Sequence, residues 1–158
     1  MGYRLQVEPR NITIIGSARL GWSLSSGQKF GEPYGDDSDL DFAIISDRLF
    51  ANVVADFQLW KSKIERGEEQ LANKFGQENL DRLPANIERG FIDPFKIDNH
   101  RYLEHAAIVT NTQEYGRQIL QATAGAPRAQ RLSVRVYADF DAFFRQMRLN
   151  LDYALSSL

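Results

Sequence analysis

Cysteine is missing from this chain altogether, which excludes disulfides, thiolate nucleophiles and thiolate zinc sites. No apolar run approaches the roughly 20 residues that a membrane helix needs. The N-terminus has no basic and then apolar leader of the secretory kind. These absences predict cytoplasmic residence and no membrane partner. Histidine is scarce: His100 and His105 are five residues apart, the wrong interval for two ligands on one helical face, so both are expected to be ordinary surface or half-buried residues. Charge of either sign is not in excess. Nineteen Lys and Arg stand against 21 Asp and Glu, a formal net charge of -2, which gives no electrostatic case for general nucleic-acid binding. A nucleotide is a different matter, because a few arginines and a metal ion can meet its charge locally. Internal repeats and low-complexity tracts are also absent.

What is present is the balance of a globular protein. With 158 residues, 43% hydrophobic and 25% charged, the chain is expected to form one domain over residues 1–158 with a sizeable core. Asn11 to Ile15 is a β-branched run that reads as a strand ending at Gly16. Ala18 to about Leu24 reads as a short helix. Ser25 to Asp37 is rich in Gly, Ser, Asp and Pro, longer than an ordinary connection, and is expected to be a functional loop or lid. Leu40 to Ile45 is the second strand, with Ser46 or Asp47 placed to cap the next element. Leu49, Phe50, Val53, Val54, Phe57, Trp60 and Ile64 recur at helical spacing and predict a helix to about Arg66. A second helix is expected from Glu68 to Leu83, stopped by Pro84. Gly90 to Asn99 looks irregular. Thr112 to Ala124 reads as helix, Leu132 to Tyr137 as a half-buried strand, and Phe140 to Leu155 as a final amphipathic helix whose Phe140, Phe143 and Phe144 are expected in the core. The sum is an α+β fold, a small mixed sheet flanked by helices.

Chemistry concentrates in two places. Asp39 and Asp41 open the second strand one residue apart, so their side chains point to the same side while Leu40 and Phe42 point to the other. Two neighbouring carboxylates repel each other unless a cation bridges them. Magnesium suits such a pair, completing its shell with water and substrate phosphates, and two ions can stabilise the attacking and leaving oxygens of a phosphoryl displacement. Upstream, Gly16 lets backbone approach a phosphate closely, and Ser17 offers a hydroxyl and an amide N–H. Arg19 is near enough in sequence to reach the same anion, although surface exposure is the plainer expectation for it. Trp22, Phe30 and Tyr34 flank the loop, where packing beneath it is favoured over stacking on a base. Arg128, Arg131 and Arg135 are expected at the surface, with Arg135 able to face a cleft.

Gly16-Ser17, Gly21 and Ser38-Asp39-Leu40-Asp41-Phe42 resemble the signature of the nucleotidyltransferase fold superfamily, the polymerase β-like proteins. The resemblance covers about the first third of the chain. It implies that two magnesium ions (or manganese) on Asp39 and Asp41 serve transfer of a nucleoside monophosphate from an NTP such as ATP to an acceptor hydroxyl. Gly16, Ser17, Arg19 and Ser38 would line the nucleotide. Members of this size modify proteins, RNA ends or small molecules, several in toxin–antitoxin or phage-defence systems. The chain departs from the pattern twice. About residues 23–37 form an insertion between the two halves of the motif. The family also usually presents a third carboxylate from a later strand, whereas Leu132 to Tyr137 offers Ser133, Arg135 and Tyr137. Asp93, Asp98, Glu104, Asp139 and Asp141 are the remaining candidates. The alternative reading is therefore a catalytically silent NTP-binding or protein-interaction module on the same fold. Other proteins with paired aspartates, the haloacid-dehalogenase-like phosphatases and many glycosyltransferases, carry the apolar strand before the acids; here Phe42 to Ile45 comes after them.

Overall fold

The β-branched segment Ile12–Ile15 (β1) and the apolar segment Leu40–Ile45 (β2) pair antiparallel, with Ile12 opposite Ile44 and Ile15 opposite Asp41. This is a computed structural model of the chain, describing residues 1–24, 30–71, 74–97, 101–122, 125 and 131–156. Leu132–Tyr137 (β4) lies parallel to β2, Asp41 facing Ser133 and Ala43 facing Arg135. Phe91–Ile92 (β3) adds an antiparallel edge on the far side of β4, giving the order β1-β2-β4-β3. Helices Gly2–Leu5 (α1), Ser17–Leu20 (α2), Asp47–Glu65 (α3), Lys74–Glu88 (α4), Leu103–Ala122 (α5) and Phe140–Ser156 (α6) accompany it. The fold is α+β with a small mixed sheet, and no described helix is long and apolar enough to cross a membrane.

Strand alternation divides the interior in two. Leu40, Phe42 and Ile44 of β2, Val134 and Val136 of β4 and Ile92 of β3 face the larger core. There they meet Leu49, Val53, Phe57 and Trp60 of α3, Leu80 and Leu83 of α4 and Ile108 of α5. Each such large side chain contributes about 1.5–3 kcal/mol by leaving water. The opposite face carries Ile15, Ala43, Ile45, Phe91 and Tyr137, covered by Ala142, Phe143 and Met147 of α6. Asp41, Ser133 and Arg135 share that face by register and remain half-buried.

Several boundaries differ from those the sequence predicts. Ser46 caps α3 as expected, its side chain accepting from the Leu49 N–H at 3.3 Å. The second helix starts at Lys74 rather than Glu68, because Gly67 at φ +73 ends α3 and turns the chain away. It also runs through Pro84 to Glu88. Proline removes one backbone hydrogen bond there, yet the Leu80, Leu83 and Ile87 face against the core outweighs that loss. Helix α5 begins nine residues before the predicted Thr112. Its inward face carries His105, Thr112 and Gly116 beside Ile108, a polar mixture that hides the helical stripe. His105 is buried rather than superficial, and its backbone N–H bonds Asp56; His100 lies outside the described residues. Of the three phenylalanines of α6 only Phe143 packs on the core, whereas Phe140 and Phe144 are 45% and 61% exposed and stack on each other.

The turn between α4 and β3 is tightly specified. Gly90 sits at φ +83, and a Cβ there would lie 2.7 Å from the Cβ of buried Ala142. Gly90→Ala therefore combines left-handed backbone strain with overpacking, and is expected to lower unfolding free energy by about 2–4 kcal/mol in urea denaturation.

Candidate functional site

The site is set by the register of β1 on β2. Because Ile15 pairs with Asp41, the turn that closes β1 lies against the Asp41 carboxylate. Gly16 holds φ +66, ψ -152, a combination open in practice only to glycine. A Cβ at Gly16 would stand 3.0 Å from Asp41 Oδ2. The glycine is thus required twice, for its backbone angles and for the space the carboxylate fills. Ser17 opens the short helix α2, and its carbonyl accepts from the Gly21 N–H.

Asp41 Oδ1 accepts a short hydrogen bond from the Ser133 hydroxyl across the β2–β4 pair, leaving Oδ2 toward Gly16. Asp39 has its Oδ1 shielded from water without a hydrogen bond. Its nearest cation is Arg131, whose Nε is 3.5 Å away on a side chain 75% exposed, so that pair compensates it weakly. Both acids act on Tyr34. Burial pushes the Tyr34 hydroxyl above its ordinary value, and the charges of Asp41 and then Asp39 push it the same way. The loop holds that tyrosine in place: Tyr34 N–H bonds Gly21 O at 2.8 Å, Ser23 N–H bonds Glu32 O at 2.8 Å, and Trp22 bridges Pro33. Trp22 and Phe30 meet edge to face at 6.1 Å, with Trp22 43% exposed; residues 25–29 of this loop lie outside the described residues.

The other expected site residues are placed less directly. Arg19 is exposed and donates to the Thr13 hydroxyl at 2.6 Å. Ser38 accepts from the Gly35 N–H at 3.1 Å, shaping the turn that leads into Asp39. Of the candidates for a third acid, Asp139 caps α6 by accepting from Ala142 N–H at 2.7 Å, Asp141 is exposed on that helix, and Glu104 accepts from Asn52 at 3.1 Å. Asp98 lies outside the described residues. Asp93 lies just after β3, and the charge of Asp41 is among those that act on it. Two strand spacings, about 9–10 Å between backbones, separate β2 from β3. Among the described residues no three acids or histidines cluster tightly enough to hold a metal by themselves. The pair Asp39 and Asp41 has the chemistry of a two-carboxylate magnesium site, with one oxygen unsatisfied and another facing a glycine cradle.

Arg135 occupies the middle of this face. Its guanidinium lies over the Phe91 ring at 5.7 Å from the centroid, and its charge acts on Asp93 and on the buried Tyr137 hydroxyl. The alternation of Ser133, Arg135 and Tyr137 was visible in sequence, but nothing local to it said that Ser133 would face Asp41. Comparison with protein-family models, with curated proteins and with solved structures found no match.

Burial raises the Asp93 carboxyl above its ordinary 3.8, with Asp41 adding to the rise and Lys96, Arg135 and the Phe95 N–H opposing it. The native state therefore holds this proton to a higher pH than the unfolded chain does. Below pH 3.8 both states are protonated and no stability is lost; as pH rises through the native value, the charged form destabilises the fold. Asp93→Asn keeps the acceptor for Phe95 N–H. It is expected to raise the thermal midpoint at pH 7 and to match wild type at the acid end, a comparison read by melts across pH.

Proposed function

We propose that this chain is a magnesium-dependent nucleotidyltransferase, moving a nucleoside monophosphate from an NTP to an acceptor hydroxyl. The observation that carries the reading is the close approach of Gly16 to the Asp41 carboxylate, which joins both halves of the motif in one site. Gly16 and Ser17 would receive the triphosphate, and Asp39 and Asp41 would hold the metal. Bound there, magnesium would neutralise phosphate charge and polarise the phosphorus that is attacked. Ser133 orients Asp41 by its hydrogen bond, and Tyr34 offers a hydroxyl beside both acids. In the reaction the acceptor oxygen bonds the α-phosphorus, the bond from that phosphorus to the bridging oxygen breaks, and pyrophosphate leaves. The hydroxyl proton goes to solvent. A chain without cysteine that uses NTP fits the cytoplasm.

One observation favours a second reading, nucleotide binding without transfer. The strand position beside Asp41 is Ser133, and the next residue on that face is Arg135, so the neighbouring strand gives the metal pair no third carboxylate.

Binding and transfer are tested separately. Magnesium with an NTP at about a hundred times its dissociation constant stabilises a binder by about 2.7 kcal/mol, and this rise in melting temperature is expected to vanish in Asp39→Asn and Asp41→Asn. Incubation of the chain and host extract with α-labelled NTP is expected to give a labelled product, reduced about a hundredfold or more by Asp41→Asn. Sensitivity of that product to protease or RNase identifies the acceptor's class. Stabilisation without any labelled product supports the silent module instead.

A further inference from the structure

Around Arg135, Phe91 and Asp93 the surface opens into a cleft of about 450 Å³. That volume is within the range of small-molecule sites. Its walls come from three elements that are distant in sequence. Helix α4 supplies Arg82, and the turn that follows it supplies Arg89; Lys96 comes from the short turn after β3; Gln146 and Asn150 come from α6. Arg135, over Phe91, stands between this cleft and Ser133. Four cations and two acids, Asp81 and Asp93, line the space, so it carries positive charge on a chain whose formal net charge is -2.

Those cations are only partly compensated. Arg82 is 3.8 Å from Glu78 in an exposed pair, and neither Arg89 nor Lys96 makes a contact ion pair among the described residues. Asp93 faces Arg135 and Lys96 but turns one oxygen to the Phe95 N–H at 3.1 Å. The buried Tyr137 hydroxyl lies beside Arg135 and within the field of Asp93. Guanidinium groups and side-chain amides grouped along a concave surface recognise a compact multivalent anion, and phosphate matches arginine's paired donors.

We propose that this cleft binds the phosphate group of a small second ligand, which on the nucleotidyltransferase reading, on which the acceptor role rests, is the acceptor itself. Arg135 is two residues along β4 from Ser133, the partner of Asp41, a step of about 7 Å. A small phosphorylated molecule seated in the cleft would thus place a hydroxyl within reach of the carboxylate pair. The acceptor would be a phosphate monoester of metabolite size rather than a protein.

The test uses inorganic phosphate as probe, with the full chain in EDTA, followed by calorimetry and phosphorus NMR line broadening. Phosphate is expected to bind wild type, to weaken at least tenfold in the double variant Arg89→Gln, Lys96→Gln, and to bind Asp41→Asn and Ser17→Ala as wild type. Both cleft residues are outside the larger core, and a thermal melt checks that the double variant folds. Saturating magnesium with a non-hydrolysable NTP analogue is expected to leave phosphate bound. Displacement by that analogue would assign the cleft to the nucleotide's own phosphates and overturn the proposal. So would absence of phosphate binding in wild type, wild-type affinity in the double variant, or loss of phosphate in Ser17→Ala alone. Phosphate held by the cleft in a chain that binds no magnesium nucleotide supports the anion site and overturns the nucleotide reading instead.

Discussion

The antiparallel seam between β1 and β2 is the constraint on which the remaining site geometry depends. Its register sets Ile15 opposite Asp41 and so puts the Gly16 turn against a carboxylate. A shift of β2 by one residue would turn Asp41 toward the larger core and Phe42 to the opposite face of the sheet. Leu40, Phe42 and Ile44 are each 4% exposed or less, so hydrophobic burial on one face fixes the position of charge on the other. The parallel pairing of β4 then carries that order onward, setting Ser133 beside Asp41 and Arg135 beside Ala43.

The face under α6 is divided along its length. Ile15, Ala43, Ile45, Phe91 and Tyr137 make an apolar floor that Ala142, Phe143 and Met147 close. Beyond that cover, acids and cations alternate across the strands: Asp39 and Asp41 from β2 and its approach, Arg135 from β4, Asp93 beyond β3. The acids at one end suit a cation, and the cations lining the cleft suit an anion. Arg135 lies between the two and its charge reaches Asp93 and Tyr137. Half-burial matters here, because charges screened weakly by water interact over a residue or two more than they would on an open surface.

The loop between α2 and β2 shows how a long connection can be tied to neighbouring elements. Backbone bonds from Ser23, Gly31 and Tyr34 fold its described ends back on themselves. That brings Tyr34 to the carboxylates while leaving Trp22 and Phe30 packed on each other outside. The exposed Phe140 and Phe144 of α6 have a related cause. A helix lying on a narrow sheet buries one stripe, here through Ala142, Phe143, Met147 and Ala154, and the aromatic residues a quarter turn away stay in water.

The sequence by itself determined the α+β class, three of the strands, Leu132 to Tyr137 among them, and the cap and length of α3. These are local properties, set by side-chain period and by the conformational limits of Gly and Ser, so a linear reading reaches them. Tertiary structure alone decided that β4 adjoins β2, that Ser133 rather than an acid faces Asp41, that Asp93 comes within the field of Asp41, and that α4 runs through Pro84. Each of those depends on contacts between segments dozens of residues apart. The positions His105, Thr112 and Gly116 concealed the start of α5 for the same reason: they are buried by segments distant in sequence, Gly116 against Leu132 of β4 and the His105 backbone N–H on Asp56 of α3. What brings Arg89, Lys96 and Arg135 to one cleft is likewise strand order, which no single stretch of chain records.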